Sequence, residues 1–201
     1  MGTRTPSTAK GRRTRERIVL AAAELVSERG TADVSLDDVG ALASASRSQL
    51  YHYFEDRDDL IRAAVVATSD AVLEAQAELF ANLDTWRGIE AWMDALVDLQ
   101  VQRGASGGCP LGTLAGQLAE HDPQARESIS SGLAQWQRCI ETGLAALQAN
   151  GGLRPEADPA QLAKATIALI QGGLLLTQVH RDPRELRAAL DAALRLLRCE
   201  L

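Results

Sequence analysis

Hydrophobic residues recur along this chain at spacings of three and four residues, and short segments rich in Gly, Pro, Ser and Asp separate these runs. The first run covers residues 14–29 and carries Ile18, Leu20, Ala21, Leu25 and Val26. This spacing places the apolar side chains on one side of a helix, and the glycine that follows is a common helix terminator. The pattern therefore predicts a helix that begins near Thr14 and ends before Gly30.

Two short apolar runs come next, joined by three small residues. Ser35 can cap the first run, whose apolar residues are Leu36, Val39, Leu42 and Ala43. The second run extends from Arg47 to Phe54, after the segment 44–46. Two short helices with so short a joint are typical of a helix-turn-helix, which we predict at about residues 34–54.

The rest of the chain also shows helix punctuation. Asp56 is expected to cap a long helix that reaches about Asn82, with Asp59 in a capping-box position. Further helices are predicted at 84–103 and 110–120, and three Asp-Pro pairs, at 122–123, 158–159 and 182–183, should open the last three. We predict an all-α protein of about nine helices.

The last two predicted helices are apolar on almost every side. Their large apolar residues are Leu162, Ile167, Leu169, Ile170, Leu174, Leu175, Leu176, Leu186, Leu190, Leu194, Leu196 and Leu197. A chain of 201 residues has little else with which to cover so much apolar surface. We predict a homodimer through these two helices, and the alternative is ordinary packing within one subunit.

Charge is unevenly distributed along the chain. The net charge is −6, but residues 1–57 carry +1 and residues 58–201 carry −7. The basic residues are concentrated near the N-terminus, where a single acidic residue, Glu16, accompanies Arg4, Lys10, Arg12, Arg13, Arg15 and Arg17. This distribution favours phosphate binding at one end of the molecule. We predict a flexible basic arm at 1–10, a DNA-binding domain at 11–71 and a second domain at 72–201.

Other functional classes find little support in the sequence. The most apolar stretch, 165–176, is about half a membrane span, and no apolar segment follows the N-terminal basic residues, so we expect a cytoplasmic protein without membrane contact. The cysteines Cys109, Cys139 and Cys199 lack metal-ligand spacing, and the three histidines lack partners at catalytic spacing. We expect free thiols, no metal, no cofactor and no enzymatic activity.

The segment 35–60, SLDDVGALASASRSQLYHYFEDRDDL, strongly resembles the DNA-binding domain of the TetR family. The residues that carry the resemblance are Leu50, Tyr51, His52, Tyr53 and Phe54, followed by Arg57 where the family often has lysine. One departure is Ser44, because the family usually has glycine at this turn. The backbone there must either avoid the left-handed region or accept modest strain.

The resemblance implies that residues 47–54 form a recognition helix for double-stranded operator DNA. Leu50 and Phe54 should point into the domain, with Val39 and Leu42 as partners, and the opposite face should enter the major groove. The candidate DNA-binding residues are Ser35, Arg47, Ser48, Gln49, Tyr51, His52, Tyr53 and Arg57. Arg47 suits guanine and Gln49 suits adenine, whereas Tyr51, His52, Ser35 and Arg57 suit phosphate. The alternative is a buried aromatic cluster.

Segments 108–112, 122–136, 171–173 and 181–183 are similar to the LmrA/YxaF-type subgroup, which includes multidrug-responsive repressors. This similarity implies a pocket for a small-molecule effector, whose candidate residues are Phe80, Trp92, Met93, Cys109, Gln117, Trp136, Gln171 and Gln178. We expect a repressor that a hydrophobic or aromatic ligand releases from DNA. Two alternatives stay open: a thiol-reactive sensor that acts through Cys109, and a regulator without any ligand.

Overall fold

The computed structural model describes residues 6–200, and within this range the chain forms ten α-helices and no β-strand. The all-α prediction is therefore confirmed. The helices are α1 Ala9–Arg29, α2 Leu36–Leu42, α3 Arg47–Tyr53, α4 Arg57–Glu74, α5 Ala77–Phe80, α6 Trp86–Gln102, α7 Pro110–Leu118, α8 Pro123–Ala149, α9 Pro159–His180 and α10 Arg184–Arg198.

Helix α1 begins five residues before the predicted start. The Thr8 hydroxyl accepts a hydrogen bond from the Gly11 backbone N–H at 3.1 Å, so threonine caps the helix in extended conformation. At the other end Gly30 has a positive φ of 82° and donates its N–H to the Val26 carbonyl. Ala9 and Lys10, which fall within the predicted arm, belong to this helix, and residues 1–5 lie outside the described residues.

Helix α4 ends at Glu74, eight residues before the predicted end, and the short helix α5 brings the number of described helices to ten. The cause is the buried side chain of Gln76. Its amide nitrogen donates to the Val72 carbonyl at 2.9 Å, and its amide oxygen accepts the indole N–H of Trp92 at 2.9 Å. This bond fixes the chain to a distant helix, which a local sequence pattern does not reveal.

The predicted caps lie where they were expected, with small shifts. Asp56 accepts from the Asp59 N–H at 2.7 Å, and Asp122 and Asp158 cap α8 and α9 through their carboxylates. Asp182 also caps, but its partner is the N–H of Arg184, because α10 begins after the proline rather than at it. Hydrogen bonds between near neighbours thus set most of the helix starts.

The chain forms two compact units. The first contains the residues up to Ala71 together with Thr113–Gly132, and the second contains Val72–Gly112 together with the residues from Leu133 onward. The core of the first unit includes Ile18, Ala22, Leu25, Val39, Leu50, Phe54, Leu60, Ile61 and Val65. The core of the second includes Leu83, Ile89, Trp92, Met93, Leu111, Trp136, Ile140, Leu144, Ile170, Leu174, Leu186, Leu190 and Leu197. The functional boundary near residue 72 stays a prediction.

Helix α9 is more apolar along its length than expected. Within the described part of the chain it is the one helix long and apolar enough to cross a membrane. It packs along α10 within the second unit, and Leu162, Ile170 and Leu174 are buried in the core of that unit. The apolar residues on this side of α9 are therefore explained by packing within one chain.

Ser44 lies in the left-handed region, with a φ of 47°. Of the two possibilities left open for this turn, the chain has the strained one. A left-handed conformation destabilises an L-residue by about 1–2 kcal/mol relative to glycine. Glycine loses more conformational entropy on folding, and this offsets about 0.5–1 kcal/mol of the difference between the two residues.

We predict that Ser44→Gly raises the free energy of unfolding by about 0.5–1 kcal/mol, because glycine adopts this conformation without strain. Chemical denaturation at fixed protein concentration measures the change. The matched control is Ser27→Gly, at an exposed serine within α1, which should lower stability because glycine is a poor helix former. A loss of stability in Ser44→Gly as large as that in the control would contradict the strain.

Candidate nucleic-acid interface

Helix α3 is a single short helix held in place at both ends. At its start the Ser46 hydroxyl accepts the Gln49 N–H at 3.2 Å, and the Gln49 amide oxygen accepts the Ser46 N–H at 2.9 Å. This reciprocal pair is a capping box. At its end Phe54 adopts an extended conformation that stops the helix.

The inward face of α3 agrees with the prediction in all but one partner. Leu50 and Phe54 are buried, and Val39 of α2 is buried with them in the first unit. Leu42 was expected in this core, but 47% of it is exposed and Ala43 is buried instead. The buried positions of α2 and its C-cap are Val39, Gly40 and Ala43, at spacings of three and four residues, and Leu42 lies to the side of this row.

The outward face of α3 is polar and open to solvent. Arg47, Ser48, Tyr51 and His52 are all exposed, and 52% of Tyr51 is accessible. Tyr53 is half-buried, and its ring meets the His52 ring edge-on with centroids 4.8 Å apart. A buried cluster of all these aromatic rings therefore does not form, and the face is available to a partner.

Two of the predicted DNA-binding residues are already engaged within the first unit. Gln49 uses its amide oxygen in the capping box, so a two-bond contact with adenine would compete with that bond. The Ser35 hydroxyl accepts the Asp38 N–H at 3.1 Å and donates to the Asp38 carboxylate. Together with the bond from the Ser35 backbone N–H, this lowers the pKa of Asp38 below its ordinary value.

Arg57 also has internal partners. Its guanidinium donates to the Val34 carbonyl at 2.7 Å and to the Thr31 carbonyl, and it forms an ion pair with Asp58 at 3.1 Å. These bonds hold the segment between α1 and α2 against the start of α4. A phosphate contact by Arg57 stays a prediction, and it would compete with these bonds.

Two side-chain contacts that no local sequence pattern indicates also shape this unit. The guanidinium of Arg15 lies over the Phe54 ring, 5.2 Å from its centroid, where cation and ring attract each other. The amide oxygen of Gln117 accepts the Thr31 N–H at 2.7 Å. Gln117 thus belongs to the first unit, and a contact between Gln117 and an effector stays a prediction that would compete with this bond.

Arg62 of α4 forms an ion pair with Asp122 at 3.2 Å. Burial raises the pKa of the Asp122 carboxyl, but hydrogen bonds from the Ala125 N–H and from Arg62 outweigh burial, so the pKa is lowered. Sixty residues separate the two partners, so no local pattern predicts this pair.

From Lys10 onward, the basic residues near the N-terminus lie on α1, whereas Arg4 falls outside the described residues. Among the described residues, Lys10, Arg12, Arg13 and Arg17 belong to this helix and are exposed. Clustered exposed cations attract the phosphates of nucleic acid. The first unit therefore combines a basic helix with an exposed polar face on α3.

Most of the other predicted pocket residues come together in the second unit. Trp92, Met93, Cys109 and Trp136 lie in one buried cluster, and Phe80 packs against it with its ring 6.0 Å from that of Trp92. These residues therefore share the core of the second unit, and their role in effector binding stays a prediction.

Two glutamines of α9 hold the segment around Cys109. The Gln171 amide nitrogen donates to the Cys109 sulfur at 3.4 Å. The Gln178 amide lies against Gly108, whose positive φ of 55° and missing Cβ allow this close approach. Both glutamines are half-buried, seven residues apart on one side of α9.

An exposed polar helix on a small helical core, in a chain that also forms a second helical unit, is typical of a DNA-binding regulator. Residues 18–64 match the profile described as bacterial regulatory proteins, tetR family, and residues 86–193 match the tetracyclin repressor-like C-terminal domain. The second match alone covers more than half of the chain. The chain therefore belongs to the TetR family of transcriptional regulators, and its relatives are regulators rather than enzymes.

Comparison with individual proteins agrees with this assignment. The chain is 27% identical over 188 residues to an HTH-type transcriptional regulator in the lacX 3′ region of Lactococcus lactis, covering 90% of this chain and 91% of that protein. It is 25% identical over 173 residues to the transcriptional regulator AcuR of Cereibacter sphaeroides, covering 85% and 79%.

Solved structures show the same fold. A TetR regulator from Chloroflexus aurantiacus superposes with a TM-score of 0.75 at 27% identity, covering 94% of this chain and 96% of that one. The reduced form of Escherichia coli NemR gives a TM-score of 0.80 at 22% identity, covering 90% and 95%.

We predict that two exposed residues of α3 affect DNA binding in different ways. Tyr51→Ala should weaken binding to all operator sequences about equally, because a phosphate contact carries no sequence information. Arg47→Ala should relax the preference at one base position by about 1–3 kcal/mol. Fluorescence anisotropy with a set of single-base operator variants measures both effects. An unchanged base preference in Arg47→Ala would show that Arg47 makes no base contact.

Proposed function

We propose that the chain is a homodimeric repressor that binds operator DNA through α3 and is released when a small hydrophobic or aromatic effector occupies its second unit. The observation that carries the DNA-binding part is the exposed face formed by Arg47, Ser48, Tyr51 and His52, on a helix whose other face is fixed in a core. We also propose that the protein acts in the cytoplasm.

The dimer is supported by an apolar stripe that one chain leaves uncovered. On α9, 60% of Leu175, 44% of Leu176 and 64% of Val179 are exposed, and Leu196 of α10 is exposed as well. Leu175 and Val179 are four residues apart, so they lie on one side of the helix. A contiguous exposed apolar stripe of this kind marks an interaction surface. A second copy of the chain is the partner that we propose.

We predict that Leu175→Glu converts the dimer to a monomer, because two charges would be buried in the symmetric interface. Size-exclusion chromatography with light scattering at micromolar concentration measures the species. Val101→Glu is the matched control, since this α6 valine is similarly exposed (57%) but lies outside the stripe, and it should leave the dimer intact. A wild-type chain that is monomeric at that concentration would refute the dimer.

The effector part of the proposal is supported by the buried cluster of Trp92, Met93 and Trp136, which lies within the segment that matches the tetracyclin repressor-like C-terminal domain. Membership of the LmrA/YxaF-type subgroup stays a prediction. The two recognition helices of a dimer must fit successive major grooves about 34–36 Å apart. An effector therefore lowers operator affinity if it favours a dimer in which the two recognition helices are spaced differently. A hundredfold loss of operator affinity requires a preference of about 2.7 kcal/mol. A few buried contacts can supply this preference.

We predict that a neutral aromatic effector quenches tryptophan fluorescence and releases a labelled operator, and that Trp136→Ala loses this response while keeping its operator affinity. Trp86→Ala is the control and should keep the response, because Trp86 is only partly buried, beneath the Arg198 guanidinium. Since the coupling is reciprocal, operator DNA must weaken effector binding by the same factor. Compounds that bind tightly but leave operator affinity unchanged would favour a ligand-independent regulator.

A second candidate function is a thiol sensor at Cys109. The specific observation in its favour is the hydrogen bond from the Gln171 amide to the Cys109 sulfur, because modification of the sulfur would break it. In that case only thiol-reactive compounds release the operator, and Cys109→Ser abolishes release. Burial of Cys109 limits access to the sulfur, so we place this candidate second.

A further inference from the structure

Most buried polar side chains in the described part of the second unit have a hydrogen-bond partner. The Trp92 indole pairs with Gln76, the Thr166 hydroxyl donates to the Leu162 carbonyl at 2.8 Å, and the Thr177 hydroxyl accepts the Leu186 N–H at 3.0 Å. Buried polar groups are normally satisfied in this way, because an unpaired one loses its bonds to water without replacement.

Two side chains depart from this rule among the described residues of the second unit. The indole N–H of Trp136 and the amide oxygen of Gln100 are both fully buried and have no hydrogen-bond partner. Each residue is 98% buried. The second unit thus contains one hydrogen-bonded Trp–Gln pair, Trp92 with Gln76. Trp136 and Gln100 offer the same kinds of donor and acceptor, but these two groups have no partner.

The two unpaired groups belong to the same hydrophobic core. Gln100 follows Met93 by seven residues and Leu96 by four, so it lies on the side of α6 that is buried in the cluster containing Trp136. One unpaired group is a donor and the other is an acceptor. A bound molecule satisfies them when it offers an acceptor to the indole and a donor to the amide oxygen.

The charge that a bound molecule can carry is also restricted. Within the part of the chain that the structure describes, the buried polar residues are only Thr, Ser and Gln, and no charged side chain is buried. A ligand with a full charge would therefore enter an apolar core without a counter-ion, which is costly. The surrounding residues, such as Met93, Leu111, Ile140 and Ile170, favour an apolar body.

We propose that Trp136 and Gln100 form the polar recognition site for the effector, and that the effector is an uncharged, mainly apolar molecule bearing a hydrogen-bond acceptor and a hydrogen-bond donor. Amides, phenols and alcohols belong to this class. The inference rests on the proposed function, because it specifies the chemistry of the effector site. It assigns a function to Gln100, which the sequence did not indicate.

The first test needs no ligand and compares two glutamines of one unit. Gln100→Leu removes an unpaired buried oxygen and should raise the Tm of the ligand-free protein by about 2–4 °C. Gln76→Leu is the matched control, because it deprives Trp92 of its partner and should lower the Tm. Both are measured at one protomer concentration. A fall in Tm for Gln100→Leu comparable to the control would show that this oxygen is already paired in solution, and would overturn the proposal.

The second test uses three probes of nearly equal shape: benzamide, acetophenone and benzoate. Benzamide offers an acceptor and a donor, acetophenone only an acceptor, and benzoate carries a charge. Isothermal titration of the full chain should show benzamide binding about tenfold more tightly than acetophenone, and benzoate binding least. Gln100→Leu should remove the difference between benzamide and acetophenone, and Trp136→Phe should weaken both.

The control for this test is Trp86→Phe, which should retain the tenfold preference because Trp86 is only partly buried, beneath the Arg198 guanidinium. Equal binding of benzamide and benzoate, or no binding of benzamide, would overturn the proposal. Operator affinity is measured separately with and without benzamide. A retained preference without operator release would refute the proposed regulation but not the site, whereas release without any preference would refute the site but not the regulation.

Discussion

The burial of Leu50 and Phe54 is the constraint on which the DNA-binding unit depends. Helix α3 has seven residues, and an isolated helix this short is not stable in water. Tertiary packing must therefore hold it, and these two side chains, four residues apart, provide that packing on one face. Because stability comes from the inward face and from the Ser46–Gln49 capping box, Arg47, Ser48, Tyr51 and His52 are available to bind a partner.

Local patterns predicted much of this fold because the interactions involved are themselves local. Aspartate caps at Asp56, Asp122 and Asp158, and the alternation of buried and exposed positions along α3, connect residues two to four apart. The same kind of reasoning predicted the helix-turn-helix motif and its exposed face. The same reasoning did not determine the backbone conformation of Ser44, because the sequence alone does not show whether a turn avoids strain or accepts it.

The features that sequence reasoning missed depend on partners far apart in the chain. Gln76 ends α4 early because it pairs with Trp92, Gln117 pairs with Thr31 across 86 residues, and Arg57 reaches back to Val34. Each of these side chains is polar and was open to interpretation as a ligand contact or a surface residue. Only the folded chain shows that their hydrogen-bonding groups already have partners within the protein, and which groups, such as those of Trp136 and Gln100, have none.

Ser44 and the unpaired Trp136–Gln100 groups both cost stability, but in different ways. The strain at Ser44 is about 1–2 kcal/mol for a left-handed L-residue, and nothing in the structure explains why serine rather than glycine occupies this turn. No binding event removes that cost, because it lies in the backbone of the residue itself. The unpaired indole and amide groups cost about 1–3 kcal/mol each in the free protein, and a complementary ligand removes that cost when it binds. An unsatisfied buried pair therefore lowers the stability of the empty protein and at the same time increases its affinity and selectivity for the ligand that completes it.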